Sequence, residues 1–286
     1  MRELSEEKIR FLEETANLVR QDVIAMIAEA GEGHTAGSLG IADIITAFYF
    51  HILEHKAGNP AWPHRDRFVL SNGHTCAALY SALARAGYFK EDDLLTFGKT
   101  GSRLQGHPHR PSLNGLETTS GPLGSGLSQA IGMALAARLD QRTYRTYCVL
   151  SDGEQDEGNT WEAVMFAGKM KLSNMTAIID RNNIQIDGFT EEVMPLEPLR
   201  NKYEAFNWHV IEINGHSFPA IISAVAEAQT IFEKPTMIIA HTIPGCGVSF
   251  MEHNYLWHGK APNDEEAKLA LRELKSQGRK VKLNYE

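Results

Sequence analysis

Short continuous apolar runs alternate along the chain with segments of helical periodicity. Four such runs lie in its second half: TYCVL, MTAIID, WHVIEI and PTMIIAHT. Helical patterns over 160–170 and 219–232 separate the first from the second and the third from the fourth. Apolar strands that alternate with helices are typical of a parallel sheet covered on both faces. The pattern therefore predicts an α/β fold, a parallel sheet flanked by helices on both faces.

The first half of the chain shows helical periodicity and one further strand. Apolar spacing predicts helices over 5–30, about 41–53, a segment that runs through 80–86, and 126–139. Ser5 is the expected N-cap of the first helix, and Gly31 belongs to the segment that ends it. The short apolar run RFVLS predicts an additional strand.

Residues 98–126 differ from their surroundings, since they are rich in Gly, Pro, Ser and Thr and have no periodicity. A loop of that length inside a compact domain is usually functional. No internal repeat, low-complexity segment or interdomain linker interrupts the chain. The sequence therefore predicts a single domain over 1–286, with an irregular tail from about 264.

Composition and charge exclude several classes of function. The 286 residues are 43% hydrophobic, which suffices for one large core or two modest ones. A net charge of −8 without a basic footprint argues against nucleic-acid binding, and the lysine-rich run over 275–282 is interpreted as a solvated end. The N-terminus is charged, unlike a signal peptide, and no run of about 18 apolar residues predicts a membrane span.

The cysteines favour a reducing compartment. Three cysteines lie far apart and form no CxxC pair, which indicates neither a disulfide framework nor a cysteine zinc site. Cys148, inside the run YCVL, is interpreted as a small buried hydrophobe. We therefore expect a soluble protein of the cytoplasm.

Polar residues follow two of the apolar runs at the point where each predicted strand ends. Asp152 follows TYCVL, and the pair Asn182-Asn183 follows MTAIID. Because parallel strands end at one edge, about 4.8 Å apart when adjacent, the two side-chain oxygens can share an ion. A carboxylate, an amide oxygen and a backbone carbonyl from Ile184 suit Mg²⁺ or Ca²⁺. Such a site is short of negative charge, as a metal that also binds a diphosphate requires, and Gly153 lets the backbone approach that anion.

A purely structural interpretation of the same residues stays open on spacing alone. Asp152 would then cap the following helix, and Asn182-Asn183 would form a turn.

Further blocks make the chain resemble a known family. Asp-Gly-Glu followed by Asn-Asn resembles the thiamine diphosphate signature, with Ser151 in place of its first glycine. Other stretches resemble transketolases in the same order: GHTAGSLG (33–40), DRFVLSNGHTCAALY (66–80), LQGHP (104–108), TSGPLGSGLSQAIGMA (119–134) and WHGKAP (257–262). They cover nearly the whole chain, although Thr35 stands where many transketolases have proline. The resemblance implies the diphosphate-binding domain of the thiamine diphosphate-binding fold.

The resemblance also implies cofactors and the residues that hold them. Thiamine diphosphate is expected with Mg²⁺, for which Ca²⁺ or Mn²⁺ can substitute, and the implied metal ligands are Asp152, Asn182 and the carbonyl of Ile184. The implied cofactor-binding residues are His74, Gly121, Pro122, Leu123, Asp152, Gly153, Glu154, Asn182, Ile184 and His258. Among them, His74 and His258 are expected at the diphosphate, and the backbone of Gly121 and Leu123 at the aminopyrimidine. As a turn residue, Glu154 is also expected to be solvated.

Catalytic roles follow from the same resemblance. His34 and His258 are expected to handle protons on substrate oxygens, because histidine is the natural proton carrier near neutral pH. His107 is expected to hydrogen-bond the donor substrate, and Glu157 to lie at a subunit interface where paired acids link two active sites. A rival use of the histidines is a zinc-type hydrolase site of His107, His109, Asp152 and His258. That alternative explains neither GPLG nor the asparagine pair.

The resemblance implies a partner chain as well. A complete transketolase is much longer, and this sequence resembles the N-terminal subunit of a split transketolase. The partner would be a C-terminal subunit with the pyrimidine-binding and C-terminal domains, including the glutamate that activates the aminopyrimidine. The expected assembly is a two-plus-two heterotetramer with self-association across the subunit interface. Its expected reaction moves a two-carbon ketol unit from a ketose phosphate to an aldose phosphate.

Two other functions remain as alternatives. One is a subunit of another thiamine diphosphate enzyme, similar to deoxyxylulose-phosphate synthase or to a 2-oxo-acid dehydrogenase component. The other is a non-catalytic paralogue that keeps the cofactor pocket as a binding module. Retention of His34 argues against the second, because binding alone would not need it.

Overall fold

Five parallel strands form the central sheet of the computed structural model, which describes residues 4–284. The strands of the chain are β1 (Arg67–Leu70), β2 (Thr146–Ser151), β3 (Met175–Arg181), β4 (Ile184–Gln185), β5 (Gly188–Phe189), β6 (His209–Asn214) and β7 (Thr236–His241). The sheet has the order β1-β2-β3-β7-β6, and β4 and β5 form a separate antiparallel hairpin. The predicted parallel sheet is therefore confirmed, and each of its apolar runs is a strand.

The helices are α1 (Glu6–Ala30), α2 (Thr35–Gly40), α3 (Ala42–Ala47), α4 (Cys76–Arg85), α5 (Ser125–Leu139), α6 (Gly158–Met170), α7 (Thr190–Val193), α8 (Leu199–Ala205), α9 (Phe218–Thr230) and α10 (Asp264–Asn284). Ser5 caps α1 by accepting a hydrogen bond from the Lys8 amide, and Gly31 ends it in the left-handed conformation. Both predictions are confirmed. Within residues 4–284, no helix combines the length and apolar character needed to cross a bilayer.

Side chains of the strands alternate between two cores, one on each face of the sheet. In β2, Tyr147 and Val149 belong to the core that includes buried residues of α1, α3, α4 and α9. Cys148 and Leu150 belong to the core of the other face, with residues of α5, α6 and α8. Cys148 is fully buried, as expected. Coverage of both faces leaves the carboxyl ends of the strands as an open edge.

Two predictions about helices need correction. The segment predicted as irregular from about 264 is the helix α10, because Ala267, Ala270 and Leu274 recur at helical spacing and are buried against the rest of the chain. Asn17 of α1 donates a hydrogen bond to the Leu274 carbonyl at 3.0 Å. The helix predicted over 41–53 is α3 followed by a π-helical turn, Phe48–Ile52.

Candidate active site: a histidine-lined cavity at the carboxyl edge of the sheet

Asp152 and Asn182 come together at the edge of the sheet because their strands are neighbours. β2 and β3 pair in parallel, with Ser151 opposite Asp180. Asp152 directly follows the last residue of β2, and Asn182 directly follows the last residue of β3. Oδ2 of Asp152 accepts a hydrogen bond from the Asn183 amide at 2.6 Å, which joins the two strand ends. Oδ1 accepts one from the Gly153 amide at 2.8 Å, so the capping role of Asp152 is also present.

Asp180 orients the amide of Asn182. Nδ2 of Asn182 donates to Oδ2 of Asp180 at 2.8 Å, and Oδ1 accepts from the Ile184 amide at 3.0 Å. Burial, and then the nearby Asp180, raises the pKa of Asp152 to about 7. Burial likewise raises the pKa of Asp180 to about 6. A cation beside these carboxyls would favour their charged forms.

Arg181 lies next to this pair, and its role was not predicted. Its Nη1 is 3.3 Å from Oδ2 of Asp152 and donates to Oγ1 of Thr190 at 2.8 Å. Its Nη2 pairs with Glu191 at 2.7 Å. The guanidinium therefore connects the end of β3 to α7. No local pattern in the sequence signals these contacts, because an arginine at a strand end is usually exposed.

Four histidines from distant parts of the chain meet on one side of the cavity. The ring centroids of His34 and His74 are 5.1 Å apart, those of His34 and His258 5.6 Å, and those of His34 and His107 6.1 Å. His74 and His258 are 5.2 Å apart. The four residues that the sequence singled out are thus one cluster.

Desolvation favours the neutral form of these imidazoles by lowering the pKa of each. It lowers the pKa of His34 to about 4, with a further contribution from His258 and then His107. Burial also lowers the pKa of His74, and neighbouring His258 and His34 add to the effect. The pKa values of His107 and His258 are lowered by burial as well. A neutral imidazole offers one hydrogen-bond donor and one acceptor, so the cluster can both donate and accept hydrogen bonds, and each ring can accept a proton.

Thr35 joins two of the histidine segments. Its hydroxyl donates a hydrogen bond to the Lys260 carbonyl at 2.6 Å. The contact ties the start of α2, next to His34, to the segment that carries His258. Proline could not make this hydrogen bond, which gives a physical reason for the threonine at this position.

The loop that contains GPLG is held in place by Glu154. One carboxylate oxygen of Glu154 accepts hydrogen bonds from the Gly124 amide at 2.7 Å and from the Ser71 hydroxyl. The other accepts from the Ser151 amide at 3.0 Å. Glu154 is fully buried, so the expectation of a solvated turn residue is wrong. Its carboxylate supports the loop and the ends of β1 and β2, where the resemblance had implied contact with a cofactor.

Gly124 can only be glycine. Its φ of 77° lies in the left-handed region, and a Cβ there would be 2.0 Å from Oδ1 of Asn159. This close approach sets the GPLG loop against α6.

Most of the predicted site residues line one cavity of about 270 Å³. The lining includes His34, His74, His107, Gly121, Leu123, Gly153, Asn182, Ile184 and His258, all named from the sequence. It also includes Ser151, Gln185 and Ile186, of which Gln185 and Ile186 were not predicted to contribute. Their signal was their position directly after Ile184, which follows the asparagine pair.

The remaining predicted residues lie around the cavity. Asp152 is buried beneath Gly153, and the side chain of Pro122 is exposed beside Gly121. Glu157 is exposed at the N-cap of α6, so a position at an interface stays a prediction.

The zinc alternative does not match the geometry of the described residues. His109 is exposed, and its Nδ1 lies 2.6 Å from the Ser112 hydroxyl. Within residues 4–284, the metal-ligating side chains that come within 4.8 Å of one another as a group of three are Asp43, His216 and Cys246. Both oxygens of Asp43 are bonded to the Arg20 guanidinium, which disfavours a cation there.

The residues at the cavity fit a metal-bound diphosphate. Asp152 and Asn182 supply hard oxygen ligands at one edge, and Gly153 presents no side chain to the cavity. The buried Nε2 of Gln185 has no hydrogen-bond partner among the described residues, so the wall also offers an N–H donor to an acceptor-rich ligand.

Comparisons with known proteins agree with this geometry. The family model described as "Transketolase, thiamine diphosphate binding domain" matches residues 12–280. A 6-deoxy-6-sulfo-D-fructose transketolase subunit of Clostridium sp. (strain MSTE9) is 43% identical over 96% of this chain and 100% of its own length. An apulose-4-phosphate transketolase subunit of Phocaeicola vulgatus is 40% identical, over 93% of this chain and 95% of its own. The crystal structure of transketolase from Campylobacter jejuni superposes with a TM-score of 0.88 at 36% identity, over 93% of this chain and 43% of that longer chain.

Proposed function

The chain belongs to the transketolase family, since it matches that family's thiamine diphosphate-binding domain, and from this premise we propose that it is the diphosphate-binding subunit of a split transketolase. The observation that carries the proposal is one cavity whose lining joins Asn182 and Gly153, beside the buried Asp152, to four histidines. The Clostridium and Phocaeicola relatives, matched over nearly their whole lengths, are themselves named transketolase subunits. In the proposed reaction, a two-carbon ketol unit passes from a ketose phosphate to an aldose phosphate.

The proposed metal site holds Mg²⁺, with Ca²⁺ or Mn²⁺ as substitutes, through Asp152, Asn182 and the Ile184 carbonyl. Asn182 supports this role because the bond from its Nδ2 to Asp180 fixes the orientation of the amide, and its Oδ1, which accepts from the Ile184 amide, keeps a second lone pair for a cation. The diphosphate would lie against Gly153, within reach of His74 and His258. The GPLG loop, with Gly121, Pro122 and Leu123, would face the aminopyrimidine.

When bound, thiamine diphosphate supplies the electron sink for carbon–carbon cleavage. The chain's own contribution is orientation and proton transfer. His34 and His258, in their neutral forms, can each accept a proton from a substrate hydroxyl, and the imidazolium so formed can return that proton to a substrate oxygen. His107, whose ring centroid is 6.1 Å from that of His34, would hydrogen-bond the donor substrate.

A C-terminal subunit with pyrimidine-binding and C-terminal domains is the proposed partner. It would supply the glutamate that activates the aminopyrimidine, so this chain is active only in its complex. Two copies of each chain, with Glu157 at the interface, give a two-plus-two heterotetramer. A cytoplasmic location belongs to the same proposal, because three widely spaced cysteines suit a reducing compartment.

Reconstitution tests the proposed activity. The purified chain is mixed with its candidate partner, thiamine diphosphate and Mg²⁺, and ketol transfer is assayed with sulfo- and phospho-ketose donors, as the names of the two relatives suggest. We expect transfer from the mixture and none from either chain alone. Transfer by this chain without the partner would contradict the proposal. Carbon dioxide release from pyruvate would instead favour a deoxyxylulose-phosphate synthase or a 2-oxo-acid dehydrogenase component.

Asp152→Ala tests the metal site directly. Loss of the buried carboxylate should abolish Mg²⁺-dependent binding of thiamine diphosphate, measured by calorimetric titration, while circular dichroism stays unchanged. The matched control is Asp187→Ala, which removes an exposed carboxylate five positions after Asn182. Unchanged binding by Asp152→Ala would remove this residue from the metal site.

His34→Ala separates a catalytic chain from a binding module. We expect the reconstituted complex to lose ketol transfer and to keep its affinity for the cofactor. Full activity in this variant would favour the non-catalytic paralogue.

A further inference from the structure

Gln185 is a polar residue of the cavity wall that the assignments above leave without a role. It is the second residue of β4 and lines the cavity between Ile184 and Ile186. Its Nε2 is buried and has no hydrogen-bond partner within residues 4–284. Buried N–H groups in folded chains are almost always bonded, so this donor lacks the partner that a bound ligand or an ordered water would supply.

The position of Gln185 indicates which part of a ligand supplies the acceptor. Its Cβ lies 3.6 Å from the point that a Cβ on Gly153 would occupy. Gly153 directly follows Asp152, and Ile184 directly precedes Gln185. The side chain of Gln185 therefore starts beside Gly153, at the end of the cavity where the proposed metal ligands and the anionic part of the ligand would be.

The charge of the wall makes such a donor important. None of the residues that line the cavity within 4–284 is a lysine or an arginine. Its titratable members are four histidines, and burial lowers the pKa of each. An anion bound here depends on a metal and on neutral N–H donors, and hydrogen bonds to charged acceptors are the stronger kind.

We propose that the side-chain amide of Gln185 donates a hydrogen bond to a diphosphate oxygen of the cofactor and is a determinant of affinity for that group. The inference rests on the proposed function, since it assumes that the cavity binds thiamine diphosphate with Mg²⁺. It adds a direct contact outside the metal site, from a residue in the hairpin β4–β5.

Calorimetric titration of the full chain tests the proposal with two probes, thiamine diphosphate and inorganic pyrophosphate, each with Mg²⁺. Gln185→Met keeps the volume and removes the donor, and Gln185→Glu places a carboxylate against the diphosphate. We expect Gln185→Met to weaken the binding of both probes about tenfold and Gln185→Glu to weaken it further. Gln129→Met, on the exposed surface of α5, should bind like the wild type.

The ligand-free chain supplies a second measurement. Because Gln185→Met removes a buried unpaired donor, its thermal midpoint without ligand should equal or exceed that of the wild type. A wild type that binds both probes and a Gln185→Met variant that binds them equally well would overturn the role of Gln185 and leave the proposed function intact. A wild type that binds neither probe would overturn the proposed diphosphate site, and the inference with it.

Discussion

Burial dominates the electrostatics of His34. The ring lies between His74, His107 and His258. Desolvation, with smaller contributions from His258 and His107, lowers its pKa to about 4. An unfolded chain would hold this histidine near its ordinary pKa of about 6.5. Between these two values the unfolded state binds more protons than the folded state, so the stability of the folded chain rises with pH.

His34→Gln should reduce the pH dependence of stability. The stability that the neutral His34 gives the wild type is present above about pH 6.5 and is lost as the pH falls towards 4, because the unfolded chain then binds a proton that the folded chain does not. The variant lacks this group, so the slope of its unfolding free energy against pH over that window should be smaller, by up to about one proton. The measurement is the free energy of unfolding in urea at several pH values. The buried carboxyls of Asp152 and Asp180, whose pKa values are raised, make stability fall as the pH rises, but they are present in both the wild type and the variant. His109→Gln, outside the cluster, is the control; equal slopes for His34→Gln and wild type would contradict the assignment.

At the scale of elements, local pattern predicted the strands and most helices, and topology then predicted where the site lies. Apolar runs identified β2 and β3, and the rule for parallel strands placed Asp152 beside Asn182. Charged residues obscured the periodicity of α10, which is stabilised by packing on α1. The burial of Glu154 could not be predicted for a related reason. Its partners Ser71 and Gly124 lie 83 and 30 positions away, so nothing near it in the sequence shows that it is buried.

Gly168 shows packing overriding helix propensity. A Cβ at this position in α6 would lie 1.9 Å from the carbonyl oxygen of Phe206, just before Trp208, whose indole donates to the Val164 carbonyl. Gly168→Ala should therefore destabilise the chain by about 1–3 kcal/mol, even though alanine favours helices. Gly132→Ala, at an exposed position of α5 with no atom within 4 Å of the new Cβ, should stabilise the chain by about 0.5–1 kcal/mol. Urea denaturation measures both, and shifts of the same sign would contradict this account.

At the scale of the whole molecule, the helices α5 and α6 carry large apolar side chains that are exposed. Met165 is 55% exposed, Phe166 42% and Leu139 74%. Glu157, which the resemblance places at a subunit interface, is the N-cap of α6. The same helix therefore carries the implied interface acid and two exposed apolar side chains, which supports α6 as part of the proposed assembly surface.

Charges placed on α6 should separate the assembled subunits. We expect Met165→Glu with Phe166→Glu to weaken assembly at least about tenfold, because a buried interface does not tolerate unpaired carboxylates. Sedimentation velocity with and without the candidate partner measures the assembly, and calorimetry with Mg²⁺ and pyrophosphate checks that the cavity still binds its anion. Phe232→Glu is the matched control, because Phe232 is 80% exposed and lies outside α6, shortly before β7. If the double variant assembles like the wild type, α6 is not the interface and Glu157 loses its proposed position there; if Phe232→Glu dissociates equally, the effect is one of general charge.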